Sequence, residues 1–197
     1  VVGVDPNQTK VDLINRGVTP IIERDIGEMI ASAVTGGKLG ATTSVRDAVS
    51  KTDISLICVG TPSQLNGNLD LSYVRRVCEE IGAAIAAKPG FHVVVARSTM
   101  LPGSMRTVVI PTLEQASGKR AGIDFGICNN PEFLREGTAV HDYYHPPKTV
   151  IGESDPRAGQ MLVDLYAAMD APLIRTDVET AEMVKYACNA FHAAKIT

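Results

Sequence analysis

Two carboxylates and one guanidinium lie within eight consecutive residues, 130–137, whose sequence is NPEFLREG. The Asn-Pro pair ends the apolar run before it, so we predict a short helix that begins near Glu132. The free N–H groups of a helix start, with Arg135 beside them, suit an anionic or hydroxyl-rich ligand. Glu132 and Glu136, four residues apart, would share one face of this helix. The alternative is an ordinary solvated helix face.

A second group of polar side chains lies on a predicted amphipathic helix, residues 178–196. The apolar stripe of this helix consists of Ala181, Val184, Cys188 and Phe191. Lys185, Asn189 and His192 follow one another at i, i+4 and i+7 on a narrow strip beside it. They could stabilise a developing alkoxide, orient a hydroxyl or water, and donate to a nucleotide or sugar, respectively. The alternative is a plain surface helix with the charged residues Glu179, Glu182, Lys185 and Lys195.

Hydroxyl-bearing loops follow two of the predicted strands. Gly60 and Thr61 come after the strand at residues 54–59, and Ser98 and Thr99 come after the strand at 92–96. Ligands of open α/β sheets gather at the carboxyl ends of strands, where Gly60 would let the backbone approach a cofactor. The alternative is that each hydroxyl satisfies a turn or a helix terminus.

The opening apolar run, residues 1–4, ends in Asp5. The second strand of a dinucleotide-binding unit ends in an acidic residue that binds the ribose hydroxyls and disfavours a 2′-phosphate. Asp5 is therefore a candidate NAD ligand, although an Asp before Pro6 could also cap a helix. The glycine fingerprint should lie about twenty residues upstream, yet the chain contains no G-x-G-x-x-G. We therefore expect the first strand, the glycine-rich turn and the first helix to be missing.

Four ordered segments resemble the nucleotide-sugar 6-dehydrogenases of the UDP-glucose/GDP-mannose dehydrogenase family and cover nearly the whole chain. They are residues 58–63 (CVGTPS), 97–103 (RSTMLPG), 130–137 (NPEFLREG) and 185–189 (KYACN). Within the family, residues 67–71 (GNLDL) and 189–195 (NAFHAAK) look most like the members that convert GDP-mannose to GDP-mannuronate for alginate-type polysaccharides. His192 supports this, because the UDP-glucose dehydrogenases tend to carry an aliphatic residue there.

The resemblance implies oxidation of the sugar 6-hydroxymethyl group to a carboxylate, with two NAD molecules reduced in succession. It implies catalytic roles for Thr99, Glu136, Lys185 and Asn189, with Thr99 near the nicotinamide and the reacting sugar carbon. The implied contacts of the nucleotide sugar are Glu132, Phe133, Leu134, Arg135, Glu136, Lys185, Asn189 and His192. The implied contacts of NAD are Asp5, Lys10, Gly60, Thr61 and Thr99.

The mechanism of the family also needs a cysteine thiol, which forms a thiohemiacetal that the second hydride transfer oxidises to a thioester. That cysteine lies in a Gly-rich segment beyond the central helix, and no such segment occurs before Thr197. We therefore expect a cofactor-binding part of the enzyme that is inactive alone. The family uses its central helix in dimers, so the intact protein is expected to be a homodimer or a higher homo-oligomer.

Predicted strands alternate with predicted helices, which indicates a parallel sheet with helices on both faces. The expected strands are residues 1–4, 41–43, 54–59, 92–96, 124–128 and 173–175. The expected helices are 9–15, 25–35, 45–51, 71–88, 104–117, 156–169 and 178–196. The fold class is α/β, with a Rossmann-like, doubly wound, mostly parallel sheet that lacks its first βα unit and is followed by a long α-helix. We assign residues 1–175 to an NAD-binding domain truncated at its N-terminus, and 176–197 to the start of a central helical region.

The composition is that of a globular domain, with 45% hydrophobic and 21% charged residues. A formal net charge of −3 and 5% aromatics give no support to nucleic-acid binding. The apolar runs are too short to span a bilayer and no signal peptide opens the chain, so we expect a cytoplasmic protein without a membrane partner. The dispersed cysteines predict no metal site and are expected to be small core residues: Cys58, Cys78, Cys128 and Cys188.

Three alternatives remain open. The substrate could be UDP-glucose or UDP-N-acetylmannosamine, which an assay of the intact enzyme against the three sugars would decide. The chain could belong to another NAD enzyme with an appended helix, such as a 6-phosphogluconate-type dehydrogenase, which would need no distal cysteine. It could also be a non-catalytic binding or oligomerising module, which turnover by the isolated chain would argue against.

Overall fold

The computed structural model describes residues 1–65 and 67–196, so Thr197, at the end of the predicted range 176–197, lies outside it. The strands are β1 (Val2–Val4), β2 (Gly40–Thr42), β3 (Ile54–Ile57), β4 (Val93–Ala96), β5 (Gly126–Asn129), β6 (Thr149–Glu153) and β7 (Leu173–Thr176). The helices are α1 (Gln8–Asn15), α2 (Ile26–Thr35), α3 (Val45–Ser50), α4 (Ser72–Ala87), α5 (Ile110–Ser117), α6 (Ala139–Tyr144), α7 (Pro156–Leu165) and α8 (Val178–Ile196). A π-helical turn, Met105–Val109, leads directly into α5.

The described strands form two sheets. β1 pairs with β2, and the second sheet has the order β3-β4-β5-β6-β7. Neighbouring strands are parallel except β5 and β6, so the predicted α/β class with a mostly parallel sheet is confirmed. In a Rossmann sheet the first strand lies between the second and the fourth. The predicted first βα unit would belong between β1 and β3, where the described strands divide, and it stays a prediction.

The second sheet has a hydrophobic core on each face. Along β4, Val94 and Ala96 pack into one core with residues of α4 and α5, whereas Val93 and Val95 pack into another with residues of α7. Successive side chains of a strand point to opposite faces, so a strand covered on both sides is apolar throughout. This arrangement confirms the expected helices on both faces of the sheet.

Two elements of the structure were not predicted. β6 is buried along most of its length beside β5, and α6 occupies the segment around His141 and His145, for which no helix or strand was expected. The sequence of β6, TVIGE, has neither the alternation of a half-buried strand nor the continuous apolar run of a fully buried one. Two predicted elements are also too long, because β3 ends at Ile57 and α7 ends at Leu165.

A buried histidine joins the start of β4 to β3 and to the end of α3. His92 is fully buried, with Nε2 2.8 Å from Ser55 Oγ and Nδ1 3.0 Å from Lys88 Nζ. Lys88 also donates to the carbonyl oxygens of Val49 and Thr52. An ammonium can only donate, so Nδ1 must accept and the neutral ring donates from Nε2 to Ser55. Burial, followed by the charge of Lys88, lowers the pKa of His92 to about 4.

We expect the protein to lose stability as the pH falls from the ordinary histidine pKa of 6.5 to about 4. In this window the unfolded chain binds a proton at position 92 that the folded chain does not bind, so unfolding is favoured. The shift corresponds to roughly 3 kcal/mol of the free energy of unfolding. Urea denaturation across this pH range measures the loss. His92→Gln should reduce the pH dependence, and an equal loss in both proteins would contradict the assignment.

A glycine allows α8 to lie close against β6. A Cβ atom at Gly152 would lie 2.5 Å from Ala181 Cβ, 2.9 Å from the Asp177 carbonyl oxygen and 3.0 Å from Val178 Cα. Two of these atoms belong to the backbone, so a side-chain rotation cannot relieve the overlap. The helix that carries Lys185 therefore owes its position to the missing side chain of Gly152.

We expect Gly152→Ala to lower the free energy of unfolding by about 1–3 kcal/mol, because α8 must move away from β6. Chemical denaturation measures this change. Gly3→Ala is the matched control, because a Cβ at this strand glycine meets its nearest atoms at 3.8 Å, an ordinary van der Waals distance. Equal destabilisation of the two variants would mean that the close approach of α8 is not what requires Gly152.

Candidate functional site

Residues 130–135 form an irregular loop, not the helix that was predicted to begin near Glu132. Leu134 N donates to Glu132 Oε2 at 2.7 Å, and Arg135 N donates to Asp142 Oδ2 at 3.0 Å. The N–H groups of Leu134 and Arg135 are thus paired with side chains and are not free for a ligand, as those of a helix start would be. The prediction that Glu132 and Glu136 share a helical face is therefore wrong, and so is the idea of a helix start within this loop.

Arg135 is engaged by a buried carboxylate. Its Nε and Nη2 donate to the two carboxylate oxygens of Asp142 at 3.0 and 2.7 Å, and Thr138 Oγ1 donates to the same group at 3.1 Å. The hydrogen bonds from Arg135 hold the pKa of Asp142 well below its usual range. Such a bidentate pair fixes the loop to α6. The role of Arg135 in binding a nucleotide sugar stays a prediction.

Lys185 reaches this loop from α8. Its Nζ lies 3.4 Å from Glu132 Oε1 and 5.4 Å from the centre of the Phe133 ring. The exposed fraction of the Lys185 side chain is 11%, and that of Glu132 is 32%. Partial burial strengthens the attraction between the two charges and limits the motion of the ammonium. The loop and the helix that were singled out in the sequence therefore meet at one charged pair.

The other predicted members of the strip lie further along α8, where Asn189 and His192 are exposed to solvent. The ring of His192 lies edge-on to Phe191, with centroids 6.3 Å apart. Phe191 is itself exposed, so the predicted apolar stripe is buried only near the beginning of α8. Glu136 is also exposed, in the turn that follows the loop. The half of α8 near Lys185 is thus anchored, and the half near His192 is open.

The two hydroxyl-bearing loops are tied to each other. Thr61 Oγ1 donates to the carbonyl oxygen of Thr99 at 2.7 Å, and Ser98 Oγ donates to the carbonyl oxygen of Val59 at 2.7 Å. A Cβ atom at Gly60 would meet no atom within 4 Å, so the backbone there is open to a ligand. Both loops follow the carboxyl ends of parallel strands, β3 and β4, as the sequence predicted.

Asp5 and Lys10 lie together at the end of β1, with Oδ2 and Nζ 3.5 Å apart. The alternative role of Asp5 as a helix cap is wrong, because Asn7 caps α1 and accepts from the N–H groups of Thr9 and Lys10. Asp5 instead accepts from Asn7 N at 2.8 Å. Its side chain remains 39% exposed, so its carboxylate is accessible to a ligand.

The cysteines divide into two groups. Cys78 and Cys128 are core residues as predicted, and burial raises the pKa of each thiol to about 12, so neither is a thiolate at neutral pH. Cys58 is exposed just beyond the end of β3, so its predicted place in a buried strand is wrong. Cys188 is half-buried and lies 3.6 Å from Lys148 Nζ. The strand ends two residues earlier than the apolar run suggested.

Two residues that sequence reasoning did not single out support the site. Glu182, which was counted as a surface charge, is only 2% exposed and accepts from Gly103 N at 2.7 Å and from Met105 N at 2.9 Å. Lys148 lies 4.8 Å from the centre of the Phe133 ring. Spacing could have identified Glu182, because it lies one helical turn from the apolar residue at 178, but no local pattern distinguishes Lys148.

Within residues 1–65 and 67–196, no helix has both the length and the apolar character that a membrane span requires. The same part of the chain holds no group of three His, Cys, Asp or Glu side chains arranged to bind a metal ion.

Comparison with known proteins identifies the family to which the chain belongs. The sequence profile of the UDP-glucose/GDP-mannose dehydrogenase family, NAD binding domain, matches residues 1–170. The chain belongs to this family, as its four motifs predicted. Solved structures agree: a ternary complex of GDP-mannose dehydrogenase from Pseudomonas aeruginosa has a TM-score of 0.98 and 54% identity, covering 100% of this chain and 45% of that one. A UDP-glucose dehydrogenase from Pyrobaculum islandicum has a TM-score of 0.91 and 40% identity, covering 97% and 44%.

Among curated proteins, the GDP-mannose 6-dehydrogenase of Azotobacter vinelandii is 53% identical over all 197 residues, which make up 45% of its length. A UDP-glucose 6-dehydrogenase of Haloferax volcanii is 39% identical over 202 aligned positions, covering 100% of this chain and 46% of that protein. The chain therefore spans a little less than half the length of the relatives it matches, and it is more similar to the enzyme named for GDP-mannose.

Proposed function

We propose that this chain is the NAD-binding part of a longer enzyme that oxidises GDP-mannose to GDP-mannuronate. The observation that carries the proposal is the contact between Lys185 and Glu132, a partly buried ion pair that joins two of the four motifs. The identity of 53% to a GDP-mannose 6-dehydrogenase, against 39% to a UDP-glucose enzyme, supports GDP-mannose as the sugar. We refer to the longer protein as the full-length enzyme.

The overall reaction is a four-electron oxidation. One alcohol, R–CH₂OH, two NAD⁺ and one water give R–COO⁻, two NADH and three H⁺. When bound, NAD supplies the acceptor for each hydride. The chain's own groups handle charge and protons: the Lys185 ammonium stabilises negative charge on the reacting oxygen, and Glu132 beside it accepts a proton or orients water. Asn189 and His192, on the open half of α8, contact the nucleotide sugar.

The residues proposed to hold NAD fit a dinucleotide. Asp5, at the end of β1, offers an accessible carboxylate to the ribose hydroxyls, and Lys10 lies beside it. Even a Cβ atom added at Gly60 would have no neighbour within 4 Å, which leaves room for a cofactor against the backbone. Thr61 Oγ1 donates to the carbonyl oxygen of Thr99, so the two loops that would hold the nicotinamide part of NAD are tied to each other.

The remaining features of the enzyme are part of the same proposal. Residues 1–175 form the NAD-binding domain and residues 176–197 begin a central helical region, a division supported by the family match over residues 1–170. The nucleophilic cysteine would come from another part of the full-length enzyme, so these residues alone would be inactive. We place the enzyme in the cytoplasm as a homodimer or higher homo-oligomer.

The test is oxidation of three nucleotide sugars by the full-length enzyme: GDP-mannose, UDP-glucose and UDP-N-acetylmannosamine. We expect GDP-mannose to have the highest kcat/KM and to yield two NADH for each sugar oxidised. A preference for either UDP-sugar would replace the proposed substrate. One NADH for each sugar would rule out the four-electron reaction and favour a simpler dehydrogenase.

A further inference from the structure

Glu182 joins two elements that carry proposed catalytic groups. It lies on α8, three residues before Lys185, and its carboxylate accepts from the N–H groups of Gly103 and Met105. These donors lie at the end of the loop that begins with Ser98 and Thr99 and leads into the π-helical turn. One carboxylate therefore connects the loop of Thr99 to the helix of Lys185.

The chemistry of this contact requires a carboxylate. Glu182 is 2% exposed, and no cation pairs with it in the described part of the chain. Its two oxygens each accept from one N–H group near the start of a helix, where the helix dipole favours a negative charge. A glutamine has one acceptor oxygen and an amide that can only donate, so it would leave one N–H facing another donor.

The shape of the loop makes the contact specific. Gly103 has φ +91°, a backbone conformation that favours glycine, and Ser104 Oγ donates to the carbonyl oxygen of Leu101 at 2.6 Å. This turn directs two N–H groups to the same point, where Glu182 accepts from both. The contact of Glu182 is buried. By contrast, Arg106 and Glu179, on the same two elements, form an ion pair at the surface, with side chains 77% and 39% exposed.

We infer that Glu182 is a positioning residue, which sets the loop of Thr99 against α8 so that Thr99 and Lys185 address the same reacting group. The inference rests on the proposed function, because it gives the two positioned groups a common reaction. A positioning role differs from a purely structural one because loss of the contact should lower kcat in molecules that remain folded.

The test compares Glu182→Gln with Glu179→Gln in the full-length enzyme, well below the melting temperature of each. Glu182→Gln should lower kcat for GDP-mannose about 10-fold or more, since small misplacements of catalytic groups are costly, while KM changes less than about 2-fold. Glu179→Gln removes a neighbouring carboxylate that contacts the same segment and should keep the kcat of the unmodified enzyme. A normal kcat in folded Glu182→Gln would overturn the inference.

Amide hydrogen exchange in the same proteins provides a measurement that does not depend on activity. Exchange at Gly103 and Met105 should accelerate in Glu182→Gln and stay unchanged in Glu179→Gln. Unchanged exchange in Glu182→Gln would show that Glu182 does not hold the loop, and would overturn the inference. If the unmodified enzyme oxidises none of the three sugars, the proposed function fails, and the exchange measurement still decides whether Glu182 holds the loop.

Discussion

Lys185→Ala in the full-length enzyme is expected to lower kcat by about 10²–10³-fold, the effect typical of removing one group that stabilises charge in the transition state. The ammonium is held 3.4 Å from Glu132, and its side chain is only 11% exposed, so it is fixed before substrate binds. A preorganised charge acts on the transition state more than on the bound substrate. Steady-state kinetics with GDP-mannose measure kcat and KM separately.

Two other substitutions on α8 make the result interpretable. Lys195→Ala removes an exposed lysine from the same helix and should leave both kinetic constants unchanged. His192→Ala, on the open half of α8, should mainly raise KM, because a side chain two turns from Lys185 contacts the nucleotide sugar away from the reacting carbon. Thermal stability should be preserved in all three. Lower melting temperatures with unchanged kinetic constants for Lys185→Ala and His192→Ala would mean that this strip is structural.

The regular part of the fold was accessible from the sequence because its elements are long or evenly patterned. α4 has the 3.6-residue period of apolar side chains, α8 is 19 residues long, and β4 is apolar throughout because helices cover both of its faces. β6 escaped prediction because its sequence, TVIGE, is neither alternating nor apolar throughout, and its pairing with β5 and β7 is what defines it as a strand. Strand pairing of this kind depends on tertiary contacts that no local pattern contains.

Two of the segments singled out in the sequence meet in the structure, but their local geometry differs from the one predicted. The loop at residues 130–137 was identified by its charges, yet it is irregular and is held to α6 by Asp142, which accepts from the backbone N–H of Arg135. Glu182 was missed because a glutamate on a helix is usually solvated. Its burial depends on N–H donors in a loop that lies far away in the sequence. In both cases the outcome depends on hydrogen bonds from backbone N–H groups to a side chain of another element.

The geometry also changes which glutamate of the loop should matter most. The family resemblance implied a catalytic role for Glu136 and only a substrate contact for Glu132. Glu132 instead lies at Lys185 Nζ and accepts from Leu134 N, so its carboxylate is both oriented and next to the proposed electrostatic group. Glu136 is exposed in the following turn. The role of Glu136 stays a prediction, and a direct comparison separates the two.

We expect Glu132→Gln to lower kcat of the full-length enzyme by about 10²-fold or more, because the amide cannot accept a proton and no longer pairs with Lys185 as a charge. Glu136→Gln should lower kcat less, since its carboxylate lies outside this contact. Both variants should remain folded, because each replaces a side chain that water reaches. Turnover numbers for the two variants, measured side by side with GDP-mannose and NAD, decide the assignment. A larger loss in Glu136→Gln would return the chemical role to Glu136 and would mean that bound substrate rearranges the loop.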